Sequence, residues 1–326
     1  MSVRDVDITA DAVALQERDG FREQGWLKII SPAKVNLHLA IGARRDDGYH
    51  SAVTIMHAVN LHDVVYMRRK LPDAANPNEP LVRMISCGDV EAPELDSRDN
   101  IASKAVLRLA QQLGRSDTGI EIRIEKNVPA QGGLGGGSSN AAAALIGAAR
   151  LWGLGGDEPE IEAAAQTLGS DVAFFLRGGC AHYEGTGEVF VRTLEPMKRA
   201  VALVKPAGGV STAEAYRTFD TTPAPISDEV ADNAQTAQRA EDVFLFNNLA
   251  FASEVVMPQL AEIRQWLEAQ EGVGGTLLCG SGATTFAVCD DFATACRVVA
   301  EARKIGLWAR ATSFGSVRAM IVSTEG

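Results

Sequence analysis

Apolar and polar positions alternate from Pro32 to Ile41. This sets Val35, Leu37, Leu39 and Ile41 on one face of a predicted strand and Lys34, Asn36 and His38 on the other. Stretches 27–30, 52–60 and 63–69 read as further strands, ahead of a Pro/Asn-rich loop at 71–80. After Asn100 a helical period takes over, with Ile101, Ala105, Leu109 and Leu113 in one stripe closed by Gly114. Ile120, Ile122 and Ile124 then alternate with Glu121, Arg123 and Glu125, the pattern of a half-buried antiparallel strand. Residues 141–150, rich in alanine, predict a helix. Asp157 and Glu160 have the spacing of a capping pattern for a helix through Leu168, and Gly169-Ser170-Asp171 opens a further short one.

The pattern restarts past Glu195-Pro196. Residues 201–204 read as a strand, the stretch near 212–219 as a helix, and the polar, acidic stretch 221–242 as a mobile insertion. Helices at 244–256 and 260–270 follow, then a hairpin of 276–279 with 284–288 around Gly280-Ser281-Gly282. A helix at 292–305 and strands near 308 and 317–322 complete something close to a β-α-β-β-α-β unit. The expected class is α+β. The length favours two domains, set at 27–198 and 199–326 behind an extension at 1–26, and there is no internal repeat.

Between the two alternating patterns lies the most informative segment. Gly132, Gly133, Gly135, Gly136 and Gly137, with Ser138 and Ser139, run straight into the alanine helix. Side-chain-free backbone lets an anion come close, and the unpaired N–H groups and dipole of a helix start supply positive field. A Walker A loop is excluded, because Gly132 and Gly137 have its spacing but Ser138 stands where its lysine belongs. A dinucleotide fingerprint is excluded too, since Gly133, Gly135 and Ser138 give G-x-G-x-x-S after the wrong kind of strand. A flexible linker would seldom lead directly into so strong a helix. The segment points to a nucleotide.

Composition narrows the partners. A formal charge of -11 and no concentrated basic stripe argue against nucleic acid. The longest apolar run, 141–149, is far short of the ~20 residues of a membrane span. Cys87, Cys180, Cys279, Cys289 and Cys296 are odd in number and lack C-x-x-C spacing, which fits a reducing compartment without a structural metal. A cytoplasmic protein, monomeric or weakly dimeric, acting on small molecules is expected.

Two charged residues stand out. Lys34 on its strand is a solvated surface group unless it has a partner. Asp171 at a helix start is either an N-cap or a carboxylate held ionised for chemistry. Phosphoryl transfer to an alcohol needs a carboxylate to take or orient the hydroxyl proton and a cation to stabilise the moving charge. Tyr49 and His50, after the Asp46-Asp47-Gly48 turn, and Tyr216 are aromatic groups suited to a base. Gly280, Ser281 and Gly282 are hairpin-turn chemistry whose N–H groups could also face phosphate.

Together these motifs resemble the GHMP-type small-molecule kinases, the superfamily of galactokinase, homoserine kinase and mevalonate kinase, over most of residues 27–322. Its phosphate loop has the form P-x-x-x-G-L-G-x-S-S-A-A. The run from Pro129 through Gly132, Gly133, Leu134, Gly135, Gly136, Gly137, Ser138 and Ser139 to Ala142 follows it, with extra glycine before the serines. Pro32-Ala33-Lys34-Val35-Asn36-Leu37, Asp47-Gly48-Tyr49-His50, Gly169-Ser170-Asp171-Val172 and Gly280-Ser281-Gly282 narrow the resemblance to the branch acting on cytidine-diphosphate methylerythritol in the non-mevalonate isoprenoid pathway. It implies a GHMP kinase two-domain fold: a ribosomal protein S5 domain 2-like N-terminal domain and a ferredoxin-like C-terminal domain, with the site in the cleft between them.

By the same resemblance ATP, with Mg2+, donates its γ-phosphate to the 2-hydroxyl of the acceptor. Asp171 is then the base, and Lys34 polarises the hydroxyl. Asn36, Tyr49, His50 and Tyr216 hold the acceptor, with Thr212, Gly280, Ser281 and Gly282 beside it, and Asn100 and Lys126 lie near the nucleotide. No dedicated carboxylate for magnesium can be picked out, which leaves Ser138 or Ser139. The extension and the acidic insertion depart from the family and have no assigned role. Two alternatives stay open: the same kinase acting on another alcohol such as homoserine or mevalonate, and a nucleotide sensor that has lost its chemistry.

Overall fold

The computed structural model describes residues 25–69, 81–86, 100–115, 119–155 and 158–322. In it the four stretches expected as early strands merge into two, β1 (Leu27–Arg44) and β2 (His50–Arg69), paired antiparallel. The apparent break at Ser31-Pro32 is a bulge, with a register shift between Pro32 and Ala33 that tolerates the proline. A second shift, between Asn36 and His38, turns the alternation over. Leu39 thus joins Lys34 and Asn36 on the cleft side, while His38 goes to the opposite face with its ring 5.4 Å from Phe246. The expected polar face of Lys34, Asn36 and His38 is corrected to Lys34 and Asn36. Burial, with His182 nearby, pushes the His38 imidazole down to about 4. The extension up to residue 24, the loop at 71–80, Cys87 and Asp157 lie outside the described residues.

β4 (Ile120–Lys126) pairs antiparallel with β2, as its alternation predicts, and β3 (Leu81–Ser86) pairs parallel with β4. β5 (Cys180–Glu184) adds to β2 and β6 (Val189–Leu194) to β5. Packed with this sheet are α1 (Ile101–Gln112), α2 (Gly136–Leu151), α3 (Pro159–Leu168) and α4 (Ser170–Arg177). α3 starts on Pro159, with no side-chain cap, instead of on the expected D-x-x-E pattern. The alanines of α2 answer a steric demand as well as a propensity. The helix is buried nearly all round against Ile29 and Met67, and a Cβ on Gly147 would sit 2.2 Å from Met67 Sδ.

The second sheet is antiparallel, in the order β11-β7-β10-β9: β7 (Ala200–Lys205), β9 (Val273–Leu278), β10 (Thr285–Cys289) and β11 (Trp308–Ser313). This is the split βαβ arrangement that the sequence predicts. One correction concerns its end: β12 (Met320–Ile321) leaves the unit and pairs with β1 at Ile29 and Ile30. α8 (Gln259–Glu268) and α9 (Phe292–Lys304) cover one face through Ile263, Leu267, Val298 and Val299. The other face packs Val201, Leu203 and Phe286 onto Ala33, Val35 and Leu37 of β1, so the two sheets share one apolar layer.

The acidic stretch is also corrected. It folds into the end of α5 (Thr212–Thr221), α6 (Asp228–Thr236) and a 3-10 turn at Ala240–Asp242. Ala234, Ala237 and Ala240 are buried in the shared layer, and Arg192 donates to the carbonyls of Ala237 (2.5 Å) and Ala234 (2.9 Å). Three alanines among acids carry too faint a hydrophobic signal to be seen in the pattern. The helix expected at 244–256 starts later, as α7 (Ala250–Val256), because β8 (Phe246–Asn247) pairs first with His38 and Leu39. No described helix is long and apolar enough to cross a membrane.

Gly147→Leu should lower stability by about 1 to 3 kcal/mol or more, read by urea denaturation, because it overfills the contact between α2 and the sheet.

Candidate functional site

The glycine loop is held by main-chain bonds from both sheets. Lys34 N donates to Leu134 O (3.0 Å) from β1, while Thr284 N and Ala283 N donate to Gly132 O and Gln131 O (both 3.1 Å) from the β9–β10 hairpin. The turn is tight enough to require glycine at two points. Gly133 and Gly135 have φ of 73° and 71°, and a Cβ would come 1.9 Å from the Cys279 carbonyl oxygen or 2.7 Å from the Phe175 ring. α2 begins at once with Gly136, earlier than the alanine run suggests. Gly136, Gly137 and Ser138 therefore form its first turn, where N–H groups lack helical partners.

The two serines divide. Ser138 is half-buried at this helix start. Ser139 is fully buried, and its hydroxyl accepts from Ser31 Oγ at 2.8 Å. Behind it lies a polar network that sequence reasoning missed, centred on the fully buried Asp63. That carboxylate accepts from Lys126 Nζ, from the N–H groups of Asn127 (2.7 Å) and Val128 (2.8 Å), and from Asn140 Nδ2 (3.1 Å). Four donors make so complete a burial tolerable. The Lys126 ammonium is thus engaged beneath the loop. Asn100 Oδ1 accepts from Ala102 N as the N-cap of α1, and Ile101 stands 3.7 Å from where a Gly137 Cβ would be. The lone aspartate between apolar strand positions is the one sequence signal that could have marked Asp63.

Lys34 and Asp171 meet. Lys34 Nζ lies 3.3 Å from Asp171 Oδ2 and donates to Asn36 Oδ1 at 2.9 Å, with the lysine side chain 5% exposed and the aspartate 29%. Asn36 Nδ2 donates in turn to Thr54 Oγ1 (2.9 Å), which donates to His38 O (2.9 Å), so the amide has a fixed orientation. An unpaired buried ammonium would cost several kcal/mol; here a carboxylate and an amide oxygen offset it. Asp171 is not a cap: Gly169 is at the N-cap of α4, and the carboxylate stands in the first turn, paired with Lys34. The pair lies in a cleft of about 290 Å³, lined also by Gly133, Gly135, Thr212, Tyr216 and Ser281. Thr186 and Gly187, from the β5–β6 turn, line it as well and carry no motif. A larger groove of about 520 Å³ between α3, α4 and β12 lies away from the loop and the pair.

Of the remaining expected residues, Thr212 Oγ1 and Ser281 Oγ are 2.9 Å apart, and Gly280 packs near Asn36. Tyr216 lines the same cleft as the pair, and burial, with the charge of Asp171, raises its phenol. The His50 ring is 5.4 Å from Tyr216, while Tyr49, next to His50 in sequence, is 68% exposed and has no ring contact among the described residues. Buried Cys279, under the loop, is pushed up to about 12 by desolvation and stays a thiol.

Comparison with known proteins follows the same lines. Residues 100–179 match the GHMP kinases N terminal domain and residues 231–306 the GHMP kinases C terminal model. A 4-diphosphocytidyl-2-C-methyl-D-erythritol kinase of Desulfitobacterium hafniense is 37% identical over 266 residues, 80% of this chain and 87% of that one. One of a Nocardioides species is 38% identical over 266 residues, 79% of this chain and 87% of that one. A crystal structure of 4-(cytidine 5'-diphospho)-2C-methyl-D-erythritol kinase superposes with a TM-score of 0.71 at 29% identity, covering 89% of this chain and 99% of that one. Homoserine kinase from Cytophaga hutchinsonii shares the fold, with a TM-score of 0.67 at 19% identity over 92% of this chain and 98% of that one.

Gly133→Ala should force the loop off the 279–284 hairpin. The expected result is at least a tenfold weaker affinity for a non-hydrolysable nucleoside triphosphate by calorimetry, together with a stability loss of about 1 to 3 kcal/mol.

Proposed function

The chain belongs to the 4-diphosphocytidyl-2-C-methyl-D-erythritol kinase family of the GHMP kinases, and from that premise we propose how its cleft phosphorylates the 2-hydroxyl of that cytidylated alcohol with ATP. Asp171 accepts the proton of the acceptor hydroxyl as its oxygen attacks the γ-phosphorus and the bond to the bridging oxygen of ADP breaks. Lys34 holds that carboxylate in place and shields the charge that develops on the transferring group. Asn36 holds the ammonium in place. The single observation that carries this reading is the 3.3 Å approach of Lys34 to Asp171 in the cleft lined by Gly133 and Gly135.

The amides of Gly136, Gly137 and Ser138 receive the β- and γ-phosphates. Magnesium, when bound, neutralises charge between those phosphates. The described residues hold no group of three or more His, Cys, Asp or Glu that could bind a metal, so its ligands would be the phosphates and the Ser138 hydroxyl, Ser139 being committed to Ser31. Tyr216 and Tyr49 offer faces to the cytosine, while Thr212 and Ser281 stand beside the acceptor. Asn100 lies near the adenine end, and Lys126 offers its backbone there, its amine being taken by Asp63.

Asp171→Asn is expected to lower kcat by about 100-fold or more while leaving the Kd of an ATP analogue within twofold. Unchanged turnover would remove Asp171 from the chemistry. In a coupled ADP-release assay the cytidylated methylerythritol should be turned over in strong preference to homoserine and mevalonate. Tyr49→Ala should raise the KM of the cytidylated acceptor by the equivalent of ~1 to 3 kcal/mol of stacking.

A further inference from the structure

Both ring nitrogens of His50 are engaged. Nε2 lies 2.9 Å from Asp220 Oδ1 and Nδ1 lies 3.0 Å from the carbonyl oxygen of Gly42, so neither nitrogen is open to a ligand. What the ring offers is packing: it lies 5.4 Å from the Tyr216 ring, tilted by 44°, and 6.0 Å from the Phe219 ring in an edge-to-face contact. Asp220 stands in the last turn of α5, the helix that carries Tyr216, whereas His50 opens β2 in the other sheet. The contact therefore ties the start of β2 to the end of α5, beside the Tyr216 ring. It is shielded on the histidine side, 8% exposed, and half-open on the aspartate side, 34% exposed, where Arg44 Nη1 approaches the second carboxylate oxygen at 3.8 Å. Neither Asp220 nor His50 lines the cleft; Tyr216 does.

We propose that Asp220 is a positioning residue for acceptor recognition: by holding His50 against Tyr216 it fixes the Tyr216 ring, on which the pyrimidine of the acceptor stacks. A stacking platform discriminates only if it keeps its place, and the Tyr216 ring is braced at 5.4 Å by His50 from the start of β2. The Asp220 latch is the polar contact that holds His50 in that position. A neutral partner at 220 still offers His50 an acceptor oxygen; a methyl group does not. This inference rests on the reading of the acceptor as a cytidine nucleotide.

The test is steady-state kinetics of the full-length enzyme carrying Asp220→Asn or Asp220→Ala. With Asp220→Ala the KM of the cytidylated acceptor should rise about tenfold, and with Asp220→Asn by less, while kcat and the KM for ATP stay within twofold. Cytidine diphosphate, competing with the acceptor, should lose affinity by the same factor. The double variant His50→Ala/Asp220→Ala should be no worse than His50→Ala alone, because the aspartate acts through the histidine. An acceptor KM within twofold of wild type, additive losses in the double variant, or an equal fall in kcat and ATP affinity would each overturn the proposal. If wild-type enzyme fails to turn over the cytidylated acceptor, the functional reading falls instead. Calorimetry of cytidine diphosphate on wild type and Asp220→Ala then still decides whether the latch supports a pyrimidine site.

Discussion

Three main-chain hydrogen bonds, from Lys34, Ala283 and Thr284 to the carbonyls of residues 131–134, bind the glycine loop to both sheets at once. Because the donors come from β1 and from the β9–β10 hairpin, the loop can take its shape only when the two layers are docked. Their shared apolar face, Val35 and Leu37 against Leu203 and Phe286, provides that docking. Hydrophobic burial between the sheets is non-directional and sets the distance; the hydrogen bonds to the loop convert it into a fixed geometry. The same strand that donates at Lys34 N carries the Lys34 ammonium, so the loop and the charged pair are placed by one segment of backbone.

Beneath the loop a second polar assembly fixes the start of α2. Asp63 gathers an ammonium, two amides and the Asn140 side chain, and Ser31 reaches both Ser139 and Asn140. None of these groups faces the cleft. Their contribution is rigidity: the first turn of the helix, with its unpaired amides, cannot rotate without breaking a buried network, and breaking one partner of such a network is costly. In the proposed function, glycine on top and carboxylate below thus divide the work, one giving access to an anion and the other holding its receptor still.

Much of this was legible in the chain. The run from Gly132 to Ser139 ahead of an alanine helix announced an anion site, and Lys34 and Asp171 were readable as chemistry in search of each other; only the fold could show their 3.3 Å contact. The split βαβ unit was legible because its strands and helices carry ordinary periodicity. What escaped has physical reasons. A bulge is one inserted residue with no composition of its own, so the side change at His38 was invisible to strict alternation. Alanine buries little area, so Ala234, Ala237 and Ala240 left residues 221–242 looking like solvated loop. Pairings such as Asp63 with Lys126, His50 with Asp220, or β12 with β1 join positions far apart in sequence and leave no local trace.

The claim on which the rest depends is that the clamped loop delivers the terminal phosphate to Lys34 and Asp171. A crystal structure of the protein with a non-hydrolysable ATP analogue and the cytidylated acceptor tests it most directly. The account predicts the acceptor 2-hydroxyl oxygen about 3 to 3.5 Å from the γ-phosphorus and hydrogen-bonded to Asp171, with the phosphates on the amides of Gly136 to Ser138. A triphosphate lying elsewhere, or an acceptor hydroxyl turned away from Asp171, would contradict it.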